Sequence, residues 1–174
     1  MSLCTARFRR ARGLCSALLA AHGLACAGLG AADRQVQRVE DVANDGDAMR
    51  RASTRLVLDG LASDASGNAE RALSQYERAV QVDSGNPYAY LARARYHVEQ
   101  RDGGRALAYL DRAQVLFESL AIDSPRVEAH LVGLRGNALQ LQGRILEGDA
   151  LLRRAARRAP DVWGDGRLAA DELR

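Results

Sequence analysis

Few side chains in this sequence could perform covalent chemistry or ligate a metal. The three cysteines, Cys4, Cys15 and Cys26, all precede residue 27. Only His97 and His130 among the histidines lie beyond residue 32, and neither belongs to an H-E-x-x-H motif or to another zinc-ligand spacing. No G-x-S-x-G motif or glycine-rich phosphate loop follows a strand pattern. We therefore expect a protein that is not an enzyme and that has no catalytic residues, no cofactor and no metal site.

Residues 1–32 have the layout of a secretory signal peptide. A basic start is followed by an apolar run over residues 14–21 that is too short for an ordinary membrane span. Small residues at Ala25 and Ala27 suit cleavage before Gly28. Alternatively, residues 23–26 resemble a bacterial lipobox, in which Cys26 would be lipidated. We predict export to a bacterial cell envelope, as a periplasmic protein or a membrane-anchored lipoprotein, with a mitochondrial transit peptide as the alternative.

The charge distribution disfavours nucleic acid as a partner. The formal net charge is +3 and the pI is about 9.0, and all 25 basic residues are arginine. Four of these arginines lie in the leader, so the remaining chain has 21 arginines against 22 acidic residues. A surface that binds a phosphate backbone would need a much stronger basic asymmetry.

Four arginines cluster near the end of the chain, at Arg153, Arg154, Arg157 and Arg158. Such a cluster could dock an acidic partner or anionic lipid headgroups. The interpretation we favour is a solvated helix face, in which cations suit a helix C-terminus and some of them pair with Glu147 or Asp149.

One eight-residue pattern occurs twice at a spacing of 34 residues, between Ala72 and Ala113. A-L-S-Q-Y-E-R-A and A-L-A-Y-L-D-R-A place small and bulky residues in phase, at positions 72/106, 76/110 and 79/113. A fixed period of this length is typical of stacked helical repeats.

The pattern of caps and breakers predicts six principal helices and a packed all-α domain. Glycine, asparagine, aspartate and proline separate apolar periodic stretches at residues 48–65, 69–82, 88–100, 105–120, 127–141 and 144–159. We expect residues 33–48 to be a polar tether. Asp161 is predicted to cap a last short helix containing Trp163 and Leu168, with Trp163 covering the end of the stack or contacting a partner.

These residues resemble the tetratricopeptide repeat (TPR) family, and in particular small bacterial cell-envelope TPR proteins. The resemblance implies an α-α superhelix in residues 49–174, with helix-turn-helix repeats at about 53–86, 87–120 and 129–162 and a cap at 161–174. The matching structural positions are Gly60, Ala72, Tyr76, Ala79, Ala94, Ala106, Leu110, Ala113, Gly136, Gly148, Leu152, Ala155 and Pro160.

The match to the family has departures. Ser84 replaces the closing proline of the first repeat, and Asp59 and Arg93 stand where leucine is expected. The third repeat is out of phase by eight residues, from Phe117 to about Val127. We expect this insert to lengthen the preceding helix and its loop.

The resemblance implies a concave groove, lined by the first helices of the repeats, that holds a partner peptide or helix. Carried over by position, the groove residues are Val57, Leu61, Tyr88, Leu91, Arg95, Glu99, His130, Asn137 and Gln140, with Asp64 beside them. We therefore predict a protein-protein interaction adaptor that assists assembly of an envelope complex. The alternative is a self-associating structural module.

Overall fold

The computed structural model describes residues 38–174. The predictions for the leader and for lipidation at Cys26 fall outside the described residues. A 3-10 turn at Glu40–Val42 precedes eight α-helices in the described part of the chain: α1 (Ala48–Ala65), α2 (Ala69–Val82), α3 (Pro87–Glu99), α4 (Gly103–Ser119), α5 (Pro125–Leu141), α6 (Ile145–Arg158), α7 (Pro160–Trp163) and α8 (Ala170–Leu173).

The first four helices begin where short polar side chains accept a hydrogen bond from the first turn. Asn68 Oδ1 accepts from the backbone N–H of Arg71 at 3.1 Å, and Asp102 Oδ1 accepts from that of Arg105 at 2.9 Å. Asp47 and Asn86 cap α1 and α3 in the same way. Because the first N–H groups of a helix have no partner within the helix, these caps set the boundaries locally.

The six long helices pair into three hairpins, α1 with α2, α3 with α4 and α5 with α6. Successive hairpins stack through α2 and α3 and through α4 and α5, while α1, α3 and α5 are neighbours on one side. Residues 38–174 contain no strand. The predicted all-α helical repeat fold is therefore confirmed.

Small residues lie where paired helices approach closely. A Cβ added to Gly60 would lie 2.6 Å from Tyr76 Cδ1, so the tyrosine ring fills the space above this glycine. In the third repeat, a Cβ on Gly148 would lie 2.7 Å from the carbonyl oxygen of Gly136. Close helix contact of this kind requires the absence of a side chain at one or both positions.

The insert before the third repeat extends α4, which has 17 residues where α2 and α6 have 14. Phe117 in this extension is buried, and its ring meets that of Tyr88 edge-on at a centroid distance of 5.1 Å. The extra turn therefore adds core contacts between α3 and α4.

Two sequence expectations need correction at the ends of the described chain. Residues 38–47 are not a free tether, because Val39 and Val42 are buried on the same side of the 3-10 turn. The expected single capping helix is replaced by α7 and α8, with Leu168 in the irregular stretch between them. Asp161 lies in the first turn of α7 rather than at its cap. Glycine at 164 and 166 disfavours a continuous helix here.

A face of the repeats covered by the C-terminal segment

The predicted groove residues all lie on α1, α3 and α5, on what we call the groove face. Only three of them retain solvent exposure, namely Glu99, Asn137 and Gln140. The other six are at most 4% exposed: Val57, Leu61, Tyr88, Leu91, Arg95 and His130. The groove is thus open along only part of its length.

The chain itself covers this face with residues 164–174, which we call the C-terminal segment. Asn137 Nδ2 donates to the carbonyl oxygen of Gly166 at 3.0 Å, and Arg95 Nη1 donates to that of Leu168 at 3.3 Å. Farther along, Ala170 and Asp171 lie beside Asp64 on α1. The C-terminal segment therefore runs from the third repeat across the second to the first.

The last residues of the C-terminal segment meet the beginning of the described chain. Arg126 Nη2 donates to the carbonyl oxygen of Glu172 at 3.4 Å. The backbone N–H of Val39 donates to the carbonyl oxygen of Leu173 at 3.4 Å, and that of Glu40 donates to the carbonyl oxygen of Arg174 at 2.8 Å. The two ends of the described chain are thus hydrogen-bonded to each other, and Arg126 at the start of α5 binds the same stretch.

Trp163 enters the groove face just before the C-terminal segment begins. Its indole lies on Gly133 of α5, where an added Cβ would be 2.5 Å from Cε2, and Nε1 donates to His130 Nδ1 at 3.2 Å. Trp163 therefore covers the last repeat at positions that also belong to the predicted groove. Sequence reasoning missed Gly133, although a glycine in the middle of a helix indicates close approach by another group.

Burial keeps His130 neutral. It lowers the pKa of His130 to about 3, and the nearby Arg126 guanidinium acts in the same direction. Since Nδ1 accepts the bond from Trp163, the proton of the neutral imidazole lies on Nε2.

The low pKa of His130 makes stability depend on pH. The folded-state pKa is below the unfolded value of 6.5, so its contribution is fully present above pH 6.5 and is lost as the pH falls toward 3. We expect His130→Gln, whose amide oxygen can still accept from Trp163, to reduce the slope of unfolding free energy against pH by up to about 1.4 kcal/mol per pH unit. Urea unfolding at several pH values between 7 and 4 measures this slope. His97→Gln is the comparison variant, because burial also lowers the pKa of His97. An unchanged slope in His130→Gln would contradict the assignment of this pH dependence to His130.

A buried ion pair joins the first two repeats beneath the C-terminal segment. The Arg95 guanidinium pairs with the Asp64 carboxylate, and Tyr76 Oη donates to the same carboxylate at 3.3 Å. Arg95 therefore has two roles, because it binds both the α1 carboxylate and the backbone of the C-terminal segment. Removing either charge would leave the other poorly solvated.

Four buried donor groups on or beside the groove face have no hydrogen-bond partner among residues 38–174. They are Tyr88 Oη, Arg95 Nε, Arg126 Nε and His130 Nε2. Burial, together with the carboxylates of Asp45 and Asp41, raises the pKa of Tyr88, so this hydroxyl keeps its proton. The covered face thus has more donors than the C-terminal segment satisfies.

Part of the groove face stays open beside the C-terminal segment. A cleft of about 520 Å³ lies between the C-terminal halves of α3 and α5 and the Arg167–Leu168 stretch. Glu99, Asn137 and Gln140 line it, together with Arg95 and Arg101. Its polar lining could hydrogen-bond a polypeptide backbone.

The arginine cluster on α6 differs from the prediction in its pairing. Arg154 donates to Glu128 of α5 at 2.7 Å, and Arg158 pairs with the same carboxylate. Glu147 pairs instead with Arg144, at 2.5 Å. The predicted partners on α6 were therefore wrong, because the helix directs these arginines toward the neighbouring α5.

No group of three or more histidine, cysteine, aspartate or glutamate side chains is placed to hold a metal ion within residues 38–174. In the same stretch, no helix is both long and apolar enough to cross a bilayer.

Comparison with known proteins supports the fold assignment. No family model matches the sequence, and none of the curated proteins does. Among solved structures, the N-terminal domain of stress-induced protein-1 (STI-1) from C. elegans is similar, with a TM-score of 0.55 and 20% sequence identity over 65% of this chain and 88% of that one. At this identity the likeness shows the fold alone, which is a TPR-like helical repeat.

Proposed function

We propose that this chain is a non-catalytic protein-binding module whose groove face holds a segment of a partner protein. The observation that carries the proposal is that Arg95, Arg126 and Asn137 each donate to a main-chain carbonyl of the polypeptide lying on the face. Every peptide offers such carbonyls, while the flanking apolar contacts select among side chains. TPR-like folds suit this role, because stacked hairpins present an extended surface.

The cell-envelope setting is part of this proposal. An exported adaptor with an acylated Cys26 would stand at a membrane surface and could assist assembly of a complex there. Membrane fractionation and the mass of the mature N-terminus of a Cys26→Ala variant test the anchor: unchanged fractionation and no acyl mass in the parent chain would rule it out.

Site-specific cross-linking tests the binding face. We expect a photoreactive residue at Glu99 or Gln140, both at the open cleft, to cross-link the full chain to another polypeptide in cells of its source. The same group at Ala108, exposed on α4 away from the groove face, serves as the control. Equal cross-linking at all three positions, or none at Glu99 and Gln140, would contradict the proposal.

The self-associating module remains the second candidate, and solution mass across a dilution series separates the two. An adaptor is expected to stay monomeric in the absence of its partner. A stable homo-oligomer that tolerates Asn137→Leu would instead favour the structural module, because Asn137 lies at the open cleft.

A further inference from the structure

The C-terminal segment lies on the face that the proposed function assigns to a partner. We propose that this segment is a displaceable intramolecular ligand that closes the groove face, and that the face accepts in its place an acidic partner segment with leucine-type anchors. This inference rests on the proposed function and adds the chemistry of the partner and its regulation.

The C-terminal segment contacts the repeats as a bound peptide does. Its main-chain carbonyls at Gly166, Leu168 and Glu172 accept hydrogen bonds from groove-face side chains. Leu168 and Leu173 are each 2% exposed and serve as its apolar anchors. Main-chain bonds combined with apolar pockets are the usual means by which a helical groove or sheet edge holds a peptide.

The C-terminal segment is more weakly held than the repeat helices. Three of its six hydrogen bonds to the rest of residues 38–174, those accepted by Leu168, Glu172 and Leu173, measure 3.3–3.4 Å, beyond the usual N–H···O range. Its only helix, α8, has four residues, and Gly164 and Gly166 precede it. The order of these eleven residues thus depends on two leucine anchors and six hydrogen bonds, three of them long, so we expect the segment to open without unfolding the hairpins.

The unpaired donors indicate the charge of the partner. Two carboxylates of the C-terminal segment bind its own backbone: Asp165 accepts from the N–H of Arg167 at 2.9 Å, and Glu172 accepts from that of Ala169 at 2.7 Å. They therefore leave Arg95 Nε and Arg126 Nε without an acceptor within residues 38–174. A partner segment whose carboxylates point toward the face would supply those acceptors, since charged acceptors make the stronger bonds to guanidinium.

Closure by the C-terminal segment would lower the apparent affinity for any competitor. A face that is open in only a fraction of molecules binds with an apparent Kd raised by the inverse of that fraction. A partner that satisfies more donors than the C-terminal segment does can still displace it. For the same reason, a change that weakens binding of the C-terminal segment lowers the apparent Kd of the groove face for its partner.

The test uses the full chain and a fluorescent synthetic peptide of residues 164–174 as the probe. We expect the Leu168→Ala/Leu173→Ala double variant to bind this probe at least tenfold more tightly than the parent chain, because the face is released. Leu146→Ala, which removes the same atoms from a side chain that is 84% exposed on α6, should bind like the parent. Equal affinity for the double variant and the parent would overturn the inference.

A second probe tests the acidic chemistry of the partner. Residue 167 lies at the cleft with Arg95 and Arg101, so a probe carrying Arg167→Glu should bind the double variant several-fold more tightly than the unaltered probe. Equal or weaker binding would overturn an acidic partner. Concentration-dependent dimerisation of the double variant would likewise overturn it, because a second copy of this chain would then be the occupant.

Hydrogen exchange of the parent chain tests whether the C-terminal segment opens, even where the double variant fails to fold. Backbone amides of the C-terminal segment are expected to exchange at least tenfold faster than those of α3. Equal protection of both would overturn displaceability. Specific cross-links at Glu99 and Gln140 would then still support the proposed function, so the two failures are distinguishable.

Discussion

Replacing Tyr76 by alanine is expected to lower the free energy of unfolding by about 4 kcal/mol, which is typical of a large aromatic removed from a core. Tyr76 is 0% exposed, its ring fills the space over Gly60, and it meets Tyr96 edge-on at 6.3 Å. The backbones of α1 and α2 are held apart by their other contacts, so a cavity remains where the ring was. Urea unfolding followed by circular dichroism measures the change.

Two matched variants separate the effect of the ring from that of the hydroxyl. Tyr76→Phe keeps the ring and loses only the 3.3 Å bond to Asp64, so we expect a loss of about 1 kcal/mol. Tyr90→Ala removes the same atoms from a partly exposed site on α3 and should cost clearly less than Tyr76→Ala. Similar losses for Tyr76→Ala and Tyr90→Ala would show that the Gly60–Tyr76 contact does not organise the first repeat.

Gly148→Ala is expected to destabilise the chain by about 3 kcal/mol, although alanine is the better helix former. The added Cβ would lie 2.7 Å from the Gly136 carbonyl oxygen and 2.6 Å from Gln140 Cγ. The backbone of α5 cannot yield without moving the whole helix away from α6, and the third repeat would lose its close packing. The midpoint of urea unfolding again reports the change.

Gly104→Ala is the matched control for Gly148→Ala. Gly104 lies in the first turn of α4, and its added Cβ would meet nothing nearer than 3.7 Å. Only helix propensity then changes, and we expect the free energy of unfolding to stay the same or to rise by up to about 1 kcal/mol. A loss in Gly104→Ala equal to that in Gly148→Ala would attribute both effects to the backbone rather than to helix-helix contact.

The helix boundaries could be predicted because their causes are local. Asn68, Asn86 and Asp102 each accept a hydrogen bond from a backbone N–H two or three residues later, so the relevant partners are visible in a short stretch of sequence. The repeat pattern at Gly60 and Tyr76 is almost as local, since both lie within one hairpin joined by a short loop. Sequence could therefore predict the hairpins and the order in which they stack.

The pairing of the α6 arginines could not be predicted in the same way. Arg154 and Glu128 are 26 residues apart and meet only because α5 and α6 pack side by side in a particular rotation. The sequence pattern suggested partners on the same helix, at Glu147 and Asp149. Contacts within one helix are set by spacing, whereas contacts between helices depend on the packing angle.

The sequence by itself determined the six long helices and their pairing into hairpins. Only the tertiary structure decided that the groove face is largely closed, because the bonds that place the C-terminal segment join residues far apart in the chain: 29 residues from Asn137 to Gly166, 46 from Arg126 to Glu172 and 73 from Arg95 to Leu168. Residues 164–169 have no regular periodicity of their own. Their conformation arises from side chains that the repeats bring together only after the hairpins have stacked.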